Sequence, residues 1–362
     1  MRNEMFKLLS LDTRMATDED KHLPTYDHTK LSAINTCPTW GILRYSHHKK
    51  MPGSPRAMPL DAGSAAHEAF SAVRLYQYKN FQAHTEVQRA NTDFHAKRLF
   101  GEQRANDINS VLSSSSTHRT NCINYAIKTL ESGDFYDDIT DRGRTISNIS
   151  ESLIAYVDNY DMERYPIWIR DTKDPETDVG IEIPFDVVVH IKYQINHDIE
   201  QDLIARFTGI LDGLHWNKEE LIIIEEKTGA TLNNSWLSQW ILSHQITGYC
   251  IATSTFTNIP CKNALVSGMR IPIGKVPSEG IRREYVNRSD LLFEKWANWF
   301  ITSVQMENTW IDNVEQAPMY THSCNRYFRS CSFLPFCSED SVENKLSIIK
   351  EMENDEWNPL AQ

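Results

Sequence analysis

The sequence has no apolar run of about eighteen residues, so it offers no helix able to cross a bilayer. It also lacks a charged-then-apolar leader. The opening MRNEMFKLLSLDTRMATDEDK is polar and mixed in charge, and a cytoplasmic location is the expectation. Basic residues are in deficit: 37 Lys and Arg stand against 49 Asp and Glu, a formal net charge of -12. That balance argues against tight electrostatic wrapping around duplex DNA. It leaves room for enzymes that hold divalent cations, which need clustered carboxylates and draw part of their positive charge from the metal. The seven cysteines are odd in number and come with no secretion signal, which argues against a disulfide framework. A phosphate loop is missing too. Gly268 to Val276 has one residue too many between Gly268 and Gly274 and no Ser or Thr after Lys275, so the chain carries no helicase motor of that kind.

What is present is ordinary for a folded protein. The 362 residues are 40% hydrophobic and 24% charged, enough for one enzyme core with a helical insertion. Residues 1–28 are polar and acidic without clear periodicity and read as a loosely held segment. Residues 29–79 hold a short helix broken at Pro38 and a second helix from Asp61 to Tyr78. Residues 80–165 look like helical pieces inserted before the core. The pattern turns strand-like at 180–191, 203–216 and 221–229. A helix over Ser235–Thr253, strands near Ala264–Ile271 and Arg283–Asn287, and a helix over Arg288–Met306 follow, so 166–310 is the expected core. Residues 311–362 form a cysteine-bearing tail. The expected class is α/β, a central mixed sheet flanked by helices.

The strands at 203–216 and 221–229 are joined by HWNKEE, which predicts a hairpin. A two-residue loop Asn217-Lys218 would place Asp212 opposite Ile223; a four-residue loop would place it opposite Glu225. In both registers Asp212, Glu225 and Lys227 share one face, and Glu226 points to the other. Two such carboxylates repel unless a cation lies between them, and oxygen ligands favour Mg²⁺ or Mn²⁺. The lysine would orient or deprotonate a water, or neutralise charge on a phosphoryl group. A solvated hairpin with a cross-strand salt bridge would use the same residues.

These residues resemble the PD-(D/E)XK nuclease superfamily, in its RecB-like branch. The likeness rests on Gly63-Ser64-Ala65-Ala66-His67, Gly209-Ile210-Leu211-Asp212, Glu225-Glu226-Lys227-Thr228-Gly229 and Gln245-Ile246-Thr247-Gly248-Tyr249, in that order. It implies a restriction-endonuclease-like core in which His67, Asp212 and Glu225 ligate the metal, the Glu226 carbonyl assists, and Lys227 positions water. Glu182 would be a supporting acid, and Gln245 and Tyr249, one helical turn apart, would contact DNA or brace Lys227. Trp236 and Trp240 would stack on bases or serve as core. Arg282, Arg283, Arg288, Arg326 and Arg329 are candidate phosphate contacts.

Cys324, Cys331 and Cys337 are separated by six and five residues and suggest a soft-metal site, for which Cys37 is the candidate fourth ligand. One cysteine before the core and three after it resembles the iron-sulfur clusters of AddB-type and CRISPR-associated nucleases, although relatives commonly separate the first two late cysteines by only two residues. A 4Fe-4S cluster is expected, with zinc as the alternative, His322 then replacing one thiolate. Cys122, Cys250 and Cys261 are scattered and read as thiols without a role. The functional expectation is a Mg²⁺- or Mn²⁺-dependent DNA exonuclease acting on single strands or free ends in recombination, repair or phage DNA processing, with a helicase or recombination partner and no membrane. The alternatives are a non-catalytic DNA-binding or assembly module that keeps the fold, and a zinc-stabilised structural protein.

Overall fold

The computed structural model describes residues 6–53, 58–80, 92–137, 143–160, 165–171, 174, 178–195, 199–271, 280–326 and 329–360. The fold is α/β. Seven strands form one mixed sheet: β1 (Phe6–Met15), β2 (Thr25–Tyr26), β3 (Ile181–Ile195), β4 (Ile199–Asn217), β5 (Glu220–Gly229), β6 (Asn263–Arg270) and β7 (Ile281–Asn287). Their order is β1-β3-β4-β5-β6-β7, with β2 paired to β4. The β1/β3, β4/β5 and β6/β7 pairs are antiparallel, whereas β2/β4 and β5/β6 are parallel. The run Leu221-Ile222-Ile223-Ile224 is buried on both faces, as a continuous apolar stretch in a central strand requires. Because β5 and β6 are parallel, the chain must cross over between them, which it does through α7 (His244–Thr257).

By internal contacts the chain divides into two units. One comprises 1–56, 185–209 and 290–362; the other comprises 57–184 and 210–289. The second unit holds α2 (Met58–Asn80), α3 (Thr92–Phe100), α4 (Glu102–Asn109), α5 (His118–Glu131) and α6 (Ile146–Tyr160). Ala62, Ala65, Ala66 and Ala69 of α2 are buried in its core with Phe70, Tyr125, Leu153 and Val157, so the small residues permit close helix approach. The expected helix 235–253 is two pieces. A short helix Asn234–Ser238 runs into a 3-10 turn, and Ser243, in extended conformation, then caps α7 through the Ile246 N–H.

The first unit corrects the reading of residues 1–28. Residues 6–15 form β1 at the sheet edge, hydrogen-bonded along β3. A bulge between Leu8 and Ser10 shifts the register, which is why the period-two alternation of a half-buried strand is broken there. Helix α1 (His28–Thr36) ends before Cys37, and Pro38 opens a short helix to Gly41, as the break in the sequence predicts. Helices α8 (Asp290–Trp310) and α9 (Val342–Glu351) complete this unit. Among the described residues no helix is long and apolar enough to cross a membrane.

Candidate active site

The β4/β5 hairpin turns at Lys218-Glu219, Lys218 lying in the left-handed region at φ 61°. Its pairs run from Asn217 with Glu220 to Gly213 with Ile224. The loop is two residues, Lys218-Glu219 in place of Asn217-Lys218, and this register, continued one step past Gly213 and Ile224, is the one that faces Asp212 toward Glu225. Asp212 and Glu225 are both buried, at 8% and 1% exposure, and Lys227 is half-buried.

Asp212 Oδ2 accepts the Glu226 N–H at 2.6 Å, and Oδ1 lies 3.4 Å from His67 Nδ1 on α2. Lys227 Nζ donates to Glu225 Oε1, which also accepts from Gln245 Nε2 at 2.8 Å. Gln245 reaches the Tyr249 hydroxyl at 3.2 Å. Gln245 thus braces Glu225, with Tyr249 beside it, where the expectation was a contact to DNA or a brace for Lys227. Among the described residues Glu225 Oε2 is buried with no hydrogen-bond partner.

Glu226 faces the other way, as strand alternation demands. Its carboxylate takes a hydrogen bond from Arg74 and one from the Tyr156 hydroxyl at 2.7 Å. Arg74 also donates to Glu182 Oε1 at 3.3 Å, which Ser71 Oγ holds at 2.5 Å. Glu182 has φ 46° inside a strand, a conformation costly for a residue with a Cβ and typical of functional positions. Arg74, Tyr156 and Ser71 escaped the sequence reading. Their signal was present for two of them, since His67, Ser71 and Arg74 fall at i, i+4 and i+7 on one face of α2.

The electrostatics follow from burial. Burial first, then Asp212, pushes Glu225 up to about 7, and the same two causes push Glu182 to about 7. Burial opposes charge on His67, but Asp212 outweighs it and raises the imidazole to about 9. Burial likewise opposes charge on Asp212, and His67, Lys227 and Arg74 overcome it, holding the carboxyl well below its usual range. With Glu226 matched by Arg74, the carboxylates of Asp212, Glu225 and Glu182 exceed the nearby cations Lys227 and His67. Such an excess of hard oxygen donors, one of them an orphaned buried atom, fits a divalent cation in chemistry. Among the described residues, no three His, Cys, Asp or Glu side chains stand in a ready coordination shell. The other oxygens are engaged by Lys227, His67 and the Glu226 N–H.

Several expected nucleic-acid contacts are placed otherwise. Arg288 is fully buried and donates to the carbonyls of Trp240 and Ile241. Arg283 lies over the Tyr160 ring at 3.5 Å and donates to Ser267. Arg288 is thereby committed to the protein interior, whereas Arg283 is half-buried. Trp236 covers Gly268, where a Cβ would stand 2.4 Å from the indole, and Trp240 meets Trp236 edge-on. The side chains of Arg326 and Arg329, and residues 272–276 of the Gly268–Val276 segment, lie outside the described residues.

In the other unit, Cys37 is buried and Cys324, Cys331 and Cys337 are half-buried, all as free thiols. Cys331 and Cys337 pack against the cluster of Ile42, Leu43, Phe333 and Phe336. Burial, then Cys37, Cys331 and Cys324, pushes the Cys337 thiol up to about 12. Four thiols are soft donors whose chemistry suits a thiophilic metal or cluster, although among the described residues they do not stand in a ready coordination shell. Cys122, Cys250 and Cys261 are buried.

No protein-family model matches the sequence, and no curated protein matches it. Among solved structures the chain is similar to the crystal structure of SSO0001, at 14% identity and a TM-score of 0.27. That match covers 45% of this chain and 61% of SSO0001, less than two thirds of its length.

Proposed function

We propose that this chain is a Mg²⁺- or Mn²⁺-dependent deoxyribonuclease with a RecB-like, restriction-endonuclease-like core, acting as an exonuclease on DNA with single-stranded or free ends. The observation that carries the reading is Glu225: a fully buried carboxylate beside Asp212 and Lys227, with one oxygen left without a partner. His67, Asp212 and Glu225 would hold the cation, with the Glu226 carbonyl. A cation bound there supplies Lewis-acid charge and lowers the pKa of a coordinated water. Lys227 orients the attacking water and offsets charge on the phosphoryl oxygens. Gln245 holds the Glu225 carboxylate in place, and the Arg74 pair with Glu226 fixes the strand segment whose N–H holds Asp212. Cys37, Cys324, Cys331 and Cys337 would bind a 4Fe-4S cluster, or zinc, in a structural role. A helicase or recombination partner would supply the opened end.

The test incubates purified protein with end-labelled single- and double-stranded DNA in Mg²⁺, Mn²⁺ or EDTA, alongside Asp212→Ala and Lys227→Ala. Metal-dependent loss of label in the wild type, reduced at least a hundredfold in both variants, supports the reading. Absence of metal-dependent cleavage sinks it. Circular DNA cut as fast as linear DNA removes the exonuclease assignment.

A further inference from the structure

A second concave site lies within the unit made of 1–56, 185–209 and 290–362. It is a cavity of about 410 Å³ whose walls include Tyr26, Tyr45 and Trp357, with Lys30, Ser46 and Glu307 among its polar groups. That volume is in the range of small-molecule sites.

Glu307 is only 3% exposed. Its Oε1 accepts from Ser46 Oγ at 2.5 Å and from Lys30 Nζ at 2.8 Å. Among the described residues no donor meets hydrogen-bond geometry at its buried Oε2, and the Tyr26 hydroxyl is the polar neighbour that feels its charge, the phenol pKa being raised by burial and then by Glu307. A carboxylate oxygen withdrawn from water without a donor is costly, so a ligand N–H delivered there gains more than it would in solvent. Lys30 completes the pattern. Its ammonium sits 4.6 Å over the Tyr26 ring with donors beyond the one given to Glu307. An acceptor and a donor therefore stand side by side between aromatic walls. Tyr45 and Trp357 meet edge to face at 5.2 Å. The neighbouring ammonium would repel a cationic ligand, and the neighbouring carboxylates of Glu307 and Asp27 would repel an anionic head.

We propose that this cavity binds an uncharged heteroaromatic ring of nucleobase size, which gives an N–H to Glu307 Oε2 and takes a hydrogen bond from Lys30. Nucleobases carry such adjacent donors and acceptors, and aromatic side chains supply their stacking surface. The same ring can arrive as a free nucleoside or as the terminal base of a strand.

The wall is formed by a tail that Asp355 and Trp357 tie to His48: the Asp355 N–H donates to the His48 carbonyl at 2.8 Å and the Trp357 N–H to His48 Nδ1 at 3.2 Å. Trp357 thus reports on occupancy. The experiment titrates the full-length protein with guanosine, thymidine, cytidine and adenosine by calorimetry, and with short oligonucleotides ending in each base, all in EDTA to silence cleavage. Saturable binding of at least one base, weakened at least tenfold in both Glu307→Gln and Trp357→Ala, is expected. Glu307→Gln replaces one acceptor oxygen with an NH2 donor, whereas Trp357→Ala removes a wall on the tail beside Asp27, so a folding defect in one leaves the other informative. For guanine or thymine, methylation of the ring N–H abolishes binding. Binding of free nucleosides assigns the site to a small ligand, and binding of oligonucleotides alone assigns it to a strand end; either supports the proposal. No saturable binding by any probe, or binding unchanged in both variants, overturns it. Neither result depends on whether the chain cleaves DNA.

Discussion

Among single residues, Glu226 has the most consequential neighbours. Its N–H holds Asp212 on one face while its carboxylate neutralises buried Arg74 on the other. Glu226→Ala should destabilise the protein by about 3 kcal/mol in urea unfolding, because buried Arg74 loses its principal carboxylate and keeps only Glu182 at 3.3 Å. Arg74→Met combined with Glu226→Leu should recover most of that loss, since a buried ion pair replaced by apolar groups is often neutral. His95 gives a pH signature. Burial, then Arg98, lowers its pKa to about 4, and both ring nitrogens lack partners. The unfolded chain therefore takes up a proton from about pH 6.5 downward while the folded chain does not, so stability falls as pH drops from 6.5 toward 4. His95→Phe should flatten that part of the stability curve relative to wild type; parallel curves would show that His95 contributes nothing to it. At this scale the sequence was legible where chemistry and spacing coincide: strand alternation put Glu225 and Lys227 together before any coordinate was known. It was not legible for Tyr156, whose partner Glu226 is 70 positions away and whose role depends on tertiary packing.

Among elements, helix contacts set the limits. An added Cβ at Gly41 would stand 2.5 Å from the Ile34 backbone nitrogen, so the short helix after Pro38 lies directly on α1. Gly41→Ala should cost about 1–3 kcal/mol, because two backbones, not a flexible side chain, must separate. It should also disturb Cys37, which ends one helix and caps the next, and on the proposed cluster reading it should lower any iron or zinc that the wild type retains after purification. Thermal unfolding and metal analysis check both. Element types followed the hydrophobic pattern closely, and the failures have causes distant in the sequence. Beta-bulge geometry at Leu8–Ser10 hid β1, and Arg288 holding the Trp240 and Ile241 carbonyls stabilises a turn where periodicity predicted unbroken helix. Both causes are long-range hydrogen bonds that no short window contains.

For the whole molecule, a linear reading gave consecutive segments, whereas the chain sorts into interleaved units. The reason is strand length. β3 and β4 are long enough to contribute residues to both units, and nothing in a strand's alternation marks where it changes company. Interleaving also orders events during synthesis. Residues 57–184 and 210–289 leave the ribosome as nearly one stretch, so that unit can close while translation continues. Strand β1 finds β3 as soon as 187–195 are made, but residues 28–56 must wait for 290–362, which supply Glu307 for Lys30 and Val314, Phe333 and Phe336 for Ile42 and Leu43. Nascent chains arrested shortly after residue 289 should be cut by protease within residues 28–56 while α2, α5 and α6 resist, and release of the full chain should protect both regions. A ribosome pausing late in this message would thus leave an aggregation-prone segment near the amino end exposed for the duration of the pause.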